Sequence, residues 1–172
     1  MRCVWAPVVL LVLLFVQISA AYPYGDPPDC KVSVPVRPCS ESGWFRINDK
    51  KCIKFFKTKK TFDDAEKHCL SVGAHLVSVH SDEETNQLIC LIMRTSSTRI
   101  TVWIGVQRVG TFFKAWFAWT DGSDFSYKNW HYTQPDNHFL RENCVEVNFL
   151  RWGLWNDLNC GYKKPFVCAK PM

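Results

Sequence analysis

The sequence is marked first by what it does not contain. Beyond Ile18 no apolar run approaches the roughly 20 residues that cross a bilayer, so no membrane span is expected in the body of the chain. There is no internal repeat and no low-complexity tract, which sets aside solenoids and disordered linkers. The sequon Asn-x-Ser/Thr is missing too, so no N-glycan is expected. A strong charge of one sign is also lacking: 21 Lys and Arg stand against 16 Asp and Glu, a net +5. That is too even a balance to imply a nucleic-acid partner. The densest basic run, Lys50, Lys51, Lys54, Lys57, Lys59 and Lys60, is interleaved with Phe55 and Phe56 and reads as the solvated edge of a strand. The five His are scattered and form no nucleophile-and-base arrangement.

What is present begins with a leader. Met1-Arg2 precedes an apolar run from Val8 to Ile18 that ends in Ser19, Ala20 and Ala21, the pattern of a secretory signal over residues 1–20. Its removal takes away Cys3 and leaves eight cysteines, an even number suited to the oxidising secretory route and to four bridges. The remaining chain of about 150 residues has the size of one secreted domain.

Residues 21–38 carry Pro23, Pro27, Pro28, Pro35 and Pro38 with Gly25 and Cys30, and read as a flexible arm before a domain over 39–172. Gly43-Trp44-Phe45 and the run Cys52 to Phe56 are strand candidates joined by Asn48 and Asp49. A bridge from Cys39 to Cys52 would staple that hairpin. Thr61 with Asp64 three residues on signals a helix start; Phe62, Ala65 and Cys69 fall on one face, and Gly73 ends it. Ser81 with Glu84 opens a second helix whose inward stripe is Leu88, Ile89 and Ile92. At about 100° per residue Cys90 lies about 150° from the centre of that stripe. Its sulfur is therefore expected to be exposed and to pair with Cys30 or with a second chain. Further strands are expected at Val102 to Val106, Phe117 to Thr120, Cys144 to Phe149 and Pro165 to Ala169, between long polar loops.

One of those polar stretches organises the rest. Gln134-Pro135-Asp136, then Glu142, then Asn156-Asp157 supply five oxygen-bearing side chains within 24 residues, and three are carboxylates. Such a set suits a hard cation, most naturally calcium, which takes six to eight oxygens in an adaptable shell. Positions left over are available to a ligand.

The chain resembles the C-type lectin-like domain from Cys39 to Lys170. The resemblance is carried by Trp103-Ile104-Gly105-Val106, by Trp119-Thr120-Asp121-Gly122-Ser123 with Asn129-Trp130, and by Trp155-Asn156-Asp157. It implies an α+β fold of two helices, small antiparallel sheets and a long calcium-binding loop. It also implies the pairs Cys69 with Cys168, Cys144 with Cys160, and Cys39 with Cys52. The family's main calcium site maps onto Gln134, Asp136, Glu142, Asn156 and Asp157, with Pro135 resembling its cis-proline. The accessory calcium site should fall near Gln107 and Arg108, where no carboxylate stands, so one ion is expected.

In the family the order Gln-Pro-Asp resembles the galactose-preferring form, whereas Glu-Pro-Asn marks the mannose-preferring one. The implied activity is calcium-dependent binding of galactose or N-acetylgalactosamine, on cell or microbial surfaces, through Gln134, Asp136, Glu142 and Asn156. Many galactose-binding relatives place Trp directly after the motif; here Asn137-His138-Phe139 follows, and His138, Phe139 or Trp152 is the candidate for the sugar's apolar face. A disulfide-linked dimer through Cys30 or Cys90 would give the paired sites that agglutination needs. Some fish antifreeze proteins resemble the same domain, so ice binding is the alternative. Asp136 with Glu142 as a glycosidase pair is the weaker account, because a carboxylate held on a metal stays ionised and cannot act as a general acid.

Overall fold

The computed structural model describes residues 30, 34–96, 98–111 and 114–172; the leader and most of the arm lie outside them. A hairpin comes first. Strand β1 (Phe45–Arg46) pairs antiparallel with β2 (Lys51–Lys60), and in the turn between them the Asn48 side chain accepts from the Lys50 amide at 2.8 Å. The second strand runs past the expected Phe56 to Lys60, because it continues, after a register shift, against the last strand as far as Lys164. The lysine-rich run expected as a solvated strand edge is thus paired to its end with a partner far away in sequence.

Helix α1 (Phe62–Ser71) starts where expected: the Thr61 hydroxyl accepts from the Asp64 amide at 3.3 Å, and Asp63 and Asp64 sit at the positive end. Phe62, Ala65 and Cys69 are its buried residues, and Phe62 meets Trp103 edge-on with centroids 5.7 Å apart. Helix α2 (Asp82–Thr95) is capped by Ser81, which accepts from the Glu84 amide at 3.2 Å. The Glu84 carboxylate reaches past Ser81 to the His80 amide (2.9 Å) and to the Asn48 side chain (2.7 Å), tying the helix start to the hairpin turn.

Leu88, Ile89 and Ile92 face inward as expected, but Cys90 is fully buried and bonded to Cys30 of the same chain, which corrects its expected exposure. The reason is that α2 packs on more than one side. Val34 is buried and the Arg94 guanidinium donates to the carbonyls of Cys30 and Val34 at 2.5 Å each, so part of the expected arm covers the face away from the core. Gly153 crowds another side: a Cβ there would meet Thr85 Cγ2 at 2.9 Å and Ile89 Cδ1 at 3.0 Å. Of the two partners expected for Cys90, Cys30 of the same chain is the one observed.

The remaining strands are β3 (His75–Leu76), β4 (Val102–Thr111), β5 (Lys114–Trp119), β6 (Cys144–Val147), β7 (Trp155–Leu158) and β8 (Lys164–Pro171). The hydrogen-bonded order is β1-β2-β8-β4-β6-β7, with β3 on β8 and β5 on β4. The expected small antiparallel sheets are joined, because β4 lies parallel to β8 at Trp103 and Phe166, giving one mixed sheet of eight strands. Gly105 permits this packing: a Cβ would come within 2.6 Å of the Leu76 carbonyl oxygen.

Two apolar clusters hold the fold. Trp44, Phe62, Leu76, Trp103 and Phe166 pack with α1; Ile53, Leu88, Ile92, Ile104, Val145 and Trp155 pack with α2. Each such side chain contributes about 1.5–3 kcal/mol on burial. Cys39–Cys52, Cys69–Cys168 and Cys144–Cys160 are all present, the last beneath the long loop. Among the described residues no helix is long and apolar enough to cross a membrane.

Candidate metal and ligand site

The site is built where the long loop meets β7. That strand pairs with β6, placing Asn156 opposite Glu146 and Asp157 opposite Val145. The loop is tied to it at both sides: the Trp155 amide donates to the Asn129 carbonyl (2.9 Å), and the His131 amide to the Trp155 carbonyl (3.0 Å). Beneath the junction Trp155 is fully buried among Trp119, Phe125, Tyr127 and Trp130, with centroid distances of 5.6–6.2 Å.

The Gln134–Pro135 peptide is cis. Just after it, the Asp157 carboxylate accepts from the amides of Asp136 (3.1 Å) and Asn137 (2.9 Å), so a buried acid on the strand organises the turn. The His138 amide donates to both Asp136 Oδ1 (3.2 Å) and Glu142 Oε2 (2.9 Å), and the Glu142 amide donates to Asn137 Oδ1 (3.2 Å). As a result Asp136, Glu142 and Asp157 each present an oxygen within 4.8 Å of the others. Burial is the main cause that raises the Glu142 carboxyl above its usual value, with Asp136 and Asp157 adding like charge. Asp157 is raised for the same reasons, burial foremost.

This donor set suits calcium on two counts. All the groups are oxygens, and oxygens that lie 2.3–2.6 Å from one ion stand at most about 5 Å apart, a limit the three carboxylates meet. A divalent cation would also balance charges that the fold presses together. Asn156 is buried, and its amide nitrogen donates to Glu146 Oε1 at 3.1 Å. Gln134 Oε1 accepts from the Asp136 amide at 3.1 Å, so its side chain is folded onto the turn. The structure thus brings three of the five candidate residues together, Asp136, Glu142 and Asp157, while Gln134 is folded onto its own turn and the Asn156 amide is engaged by Glu146.

The sequence reading had not singled out Glu146 or Lys164. Glu146 is 3% exposed, paired with Lys164 Nζ at 2.6 Å, and bonded to Asn156. A lone acid in an otherwise apolar strand was the available signal, since a buried carboxylate needs a partner. The candidates for the sugar's apolar face are also separated. Phe139 is 79% exposed and its ring lies 4.1 Å from that of His138, whereas Trp152 is half-buried. With Glu142, Arg141 and Tyr162 these two line an open cleft of about 490 Å³.

A disulfide-stapled α+β domain with an oxygen-lined site at the junction of a long loop and β7 is what the fold and the site define. The family model described as Lectin C-type domain matches residues 58–170, and the chain belongs to that family. It is 35% identical over 149 residues to the C-type isolectin Sp-CL4 of Scorpaena plumieri, covering 87% of this chain and 99% of that one. It is also 35% identical over 131 residues to the galactose-specific lectin nattectin of Thalassophryne nattereri, covering 74% and 78%. Among solved structures, herring type II antifreeze protein matches with a TM-score of 0.66 and 32% identity over 78% of this chain and 99% of that one.

Proposed function

We propose that the chain is a secreted, calcium-dependent lectin that binds terminal galactose or N-acetylgalactosamine and does not turn it over. The observation that carries this reading is the convergence of Asp136, Glu142 and Asp157 within 4.8 Å. A bound calcium ion would supply coordination positions to two neighbouring sugar hydroxyls. Asp136 and Glu142 would accept the protons of those hydroxyls, while the Gln134 NH2 and the Asn156 N–H not given to Glu146 would donate to their oxygens. With the acid after the proline and the amide before it, the donors and acceptors suit the vicinal 3- and 4-hydroxyls of galactose. The name of nattectin, a galactose-specific lectin, supports the same preference. His138 and Phe139 would lie against the sugar's apolar face. Secretion is supported by the leader pattern in residues 1–20 and by the four disulfides.

The test is retention on galactose resin in calcium, with elution by chelator and separately by mannose. Release by chelator but not by mannose is the expected result; retention that ignores chelator would sink the calcium mechanism. The likeness to herring antifreeze protein favours a second reading, ice binding at the same locus. Thermal hysteresis without retention on the resin would decide for it.

A further inference from the structure

We propose that the chain holds a second sugar residue, glycosidically linked to the one at the metal centre, against Trp116. This deepens the lectin reading and rests on it. A cleft of about 660 Å³ opens between β5 and the long loop, lined by Trp116, Phe117, Phe125, Lys128, Trp130 and Pro135. Its size lies within the range of small-ligand sites, about 300–1,000 Å³. Pro135 is the joint between cleft and metal centre, since its two chain neighbours are Gln134 and Asp136. The cleft wall and two candidate ligands are thus one residue apart, within about 4 Å along the backbone.

Trp116 is 54% exposed although it sits in a regular strand. Its position is fixed from behind: Gly110 in the paired strand has φ +104, and a Cβ there would strike Trp116 Cζ3 at 2.9 Å. The indole therefore rests on a glycine, presenting apolar surface to the cleft. Below it the floor is aromatic, with Phe117 and Trp130 centroids 4.9 Å apart and Phe125 6.4 Å from Phe117. The rim is polar. Lys128 Nζ stands 5.9 Å over the Phe125 ring, and Asp124, itself exposed, lines the same cleft.

A pyranose has this amphipathic form, with a face of C–H groups and a rim of hydroxyls that both donate and accept. Trp116 takes the face, while Asp124 and Lys128 take the rim. A purely apolar occupant would leave the exposed Asp124 and Lys128 at the rim with no hydrogen-bond partner in it, whereas sugar hydroxyls supply one to each. Continuity through Pro135 selects a sugar joined to the first one.

Calorimetry in calcium with methyl galactoside and with a set of galactose-terminated di- and trisaccharides tests the assignment. At least one oligosaccharide should bind about tenfold tighter than methyl galactoside, the worth of one good stacking contact. In Trp116→Ala that gain should vanish while methyl galactoside binds as before, and Trp116→Phe should keep most of it. Oligosaccharides no tighter than methyl galactoside, or a gain that survives in Trp116→Ala, would overturn the subsite and leave the lectin reading standing. Failure of the native chain to bind methyl galactoside would remove both.

Discussion

The half of the domain built on α1, β2 and β8 and the half built on the long loop, β6 and β7 are held together by different means. In the first, long strand pairing, two bridges and buried Phe62, Trp103 and Phe166 fix the backbone. In the second, two four-residue strands, one bridge and an aromatic cluster carry a loop whose turn is shaped by hydrogen bonds to Asp157 and Glu142. The acids that would bind an ion are the same groups that hold the loop. Stability and ligand binding are therefore separable in the first half and linked in the second.

The sharpest way to break that contrast is to damage each half in turn. Trp103→Ala removes a fully buried indole that joins α1 to the β4–β8 pairing. It should cost about 3–5 kcal/mol, read from denaturant unfolding, and saturating calcium should recover only part of it. Equal loss with and without calcium is compatible with this picture; full rescue by calcium is not.

Asp157→Asn should do the reverse. The acid accepts two turn amides and belongs to the carboxylate cluster. Calcium affinity should fall by more than about a hundredfold, beyond the 10–100-fold that supporting partners cost. Hydrogen exchange should show faster opening at 134–142 and unchanged protection in β2 and β8. Loss of protection in β2 would mean that the halves are coupled after all.

A milder version tests positioning alone. Glu146 is near none of the loop amides, yet it holds the Asn156 amide and is itself held by Lys164. Glu146→Gln should lower calcium affinity by about 10–100-fold while sparing the turn. Calorimetric titration reads the affinity, and hydrogen exchange distinguishes this from Asp157→Asn, because protection at 134–142 without calcium should stay native.

The same contrast governs what was legible in the sequence. Local rules sufficed where one element meets one surface: Thr61 with Asp64 marked α1, and Phe62, Ala65 and Cys69 marked its buried face. The candidate ligands were visible because three acids and two amides recur around one proline. Periodicity failed at Cys90, because it assumes a single packed face while α2 is covered on several. It also failed at β2 beyond Phe56, whose partner lies near residue 164, and at Glu146, whose function depends on a lysine 18 residues later. Trp116 gave no signal at all, since its exposure follows from the register that sets it beside Val109 and next to Gly110.

The smallest effect expected is on pH dependence, and its sign differs between Asp121 and the carboxylate cluster. Asp121 sits at the start of the long loop and bridges back to the segment after β3: its carboxylate accepts from the hydroxyls of Ser78 and Ser123, with Lys51 Nζ 3.9 Å away. Burial pushes its pKa up, but the hydrogen bonds from Ser123 and Ser78 and the nearby lysine together hold it below the usual value. Its contribution to stability is thus present above the unfolded value, about 3.9 for Asp, and is lost as pH falls through the lower folded one. Glu142 and Asp157 are shifted upward. Without calcium their ionisation opposes folding above the folded pKa, and protonation relieves that cost as pH falls through it. Calcium reverses the behaviour, since it binds only the ionised forms and acid expels it. Thermal melts from pH 7 toward pH 4 should therefore give a falling curve in calcium and a flat or rising one in chelator, the two converging in acid. Curves that coincide at pH 7 would deny the loop its ion.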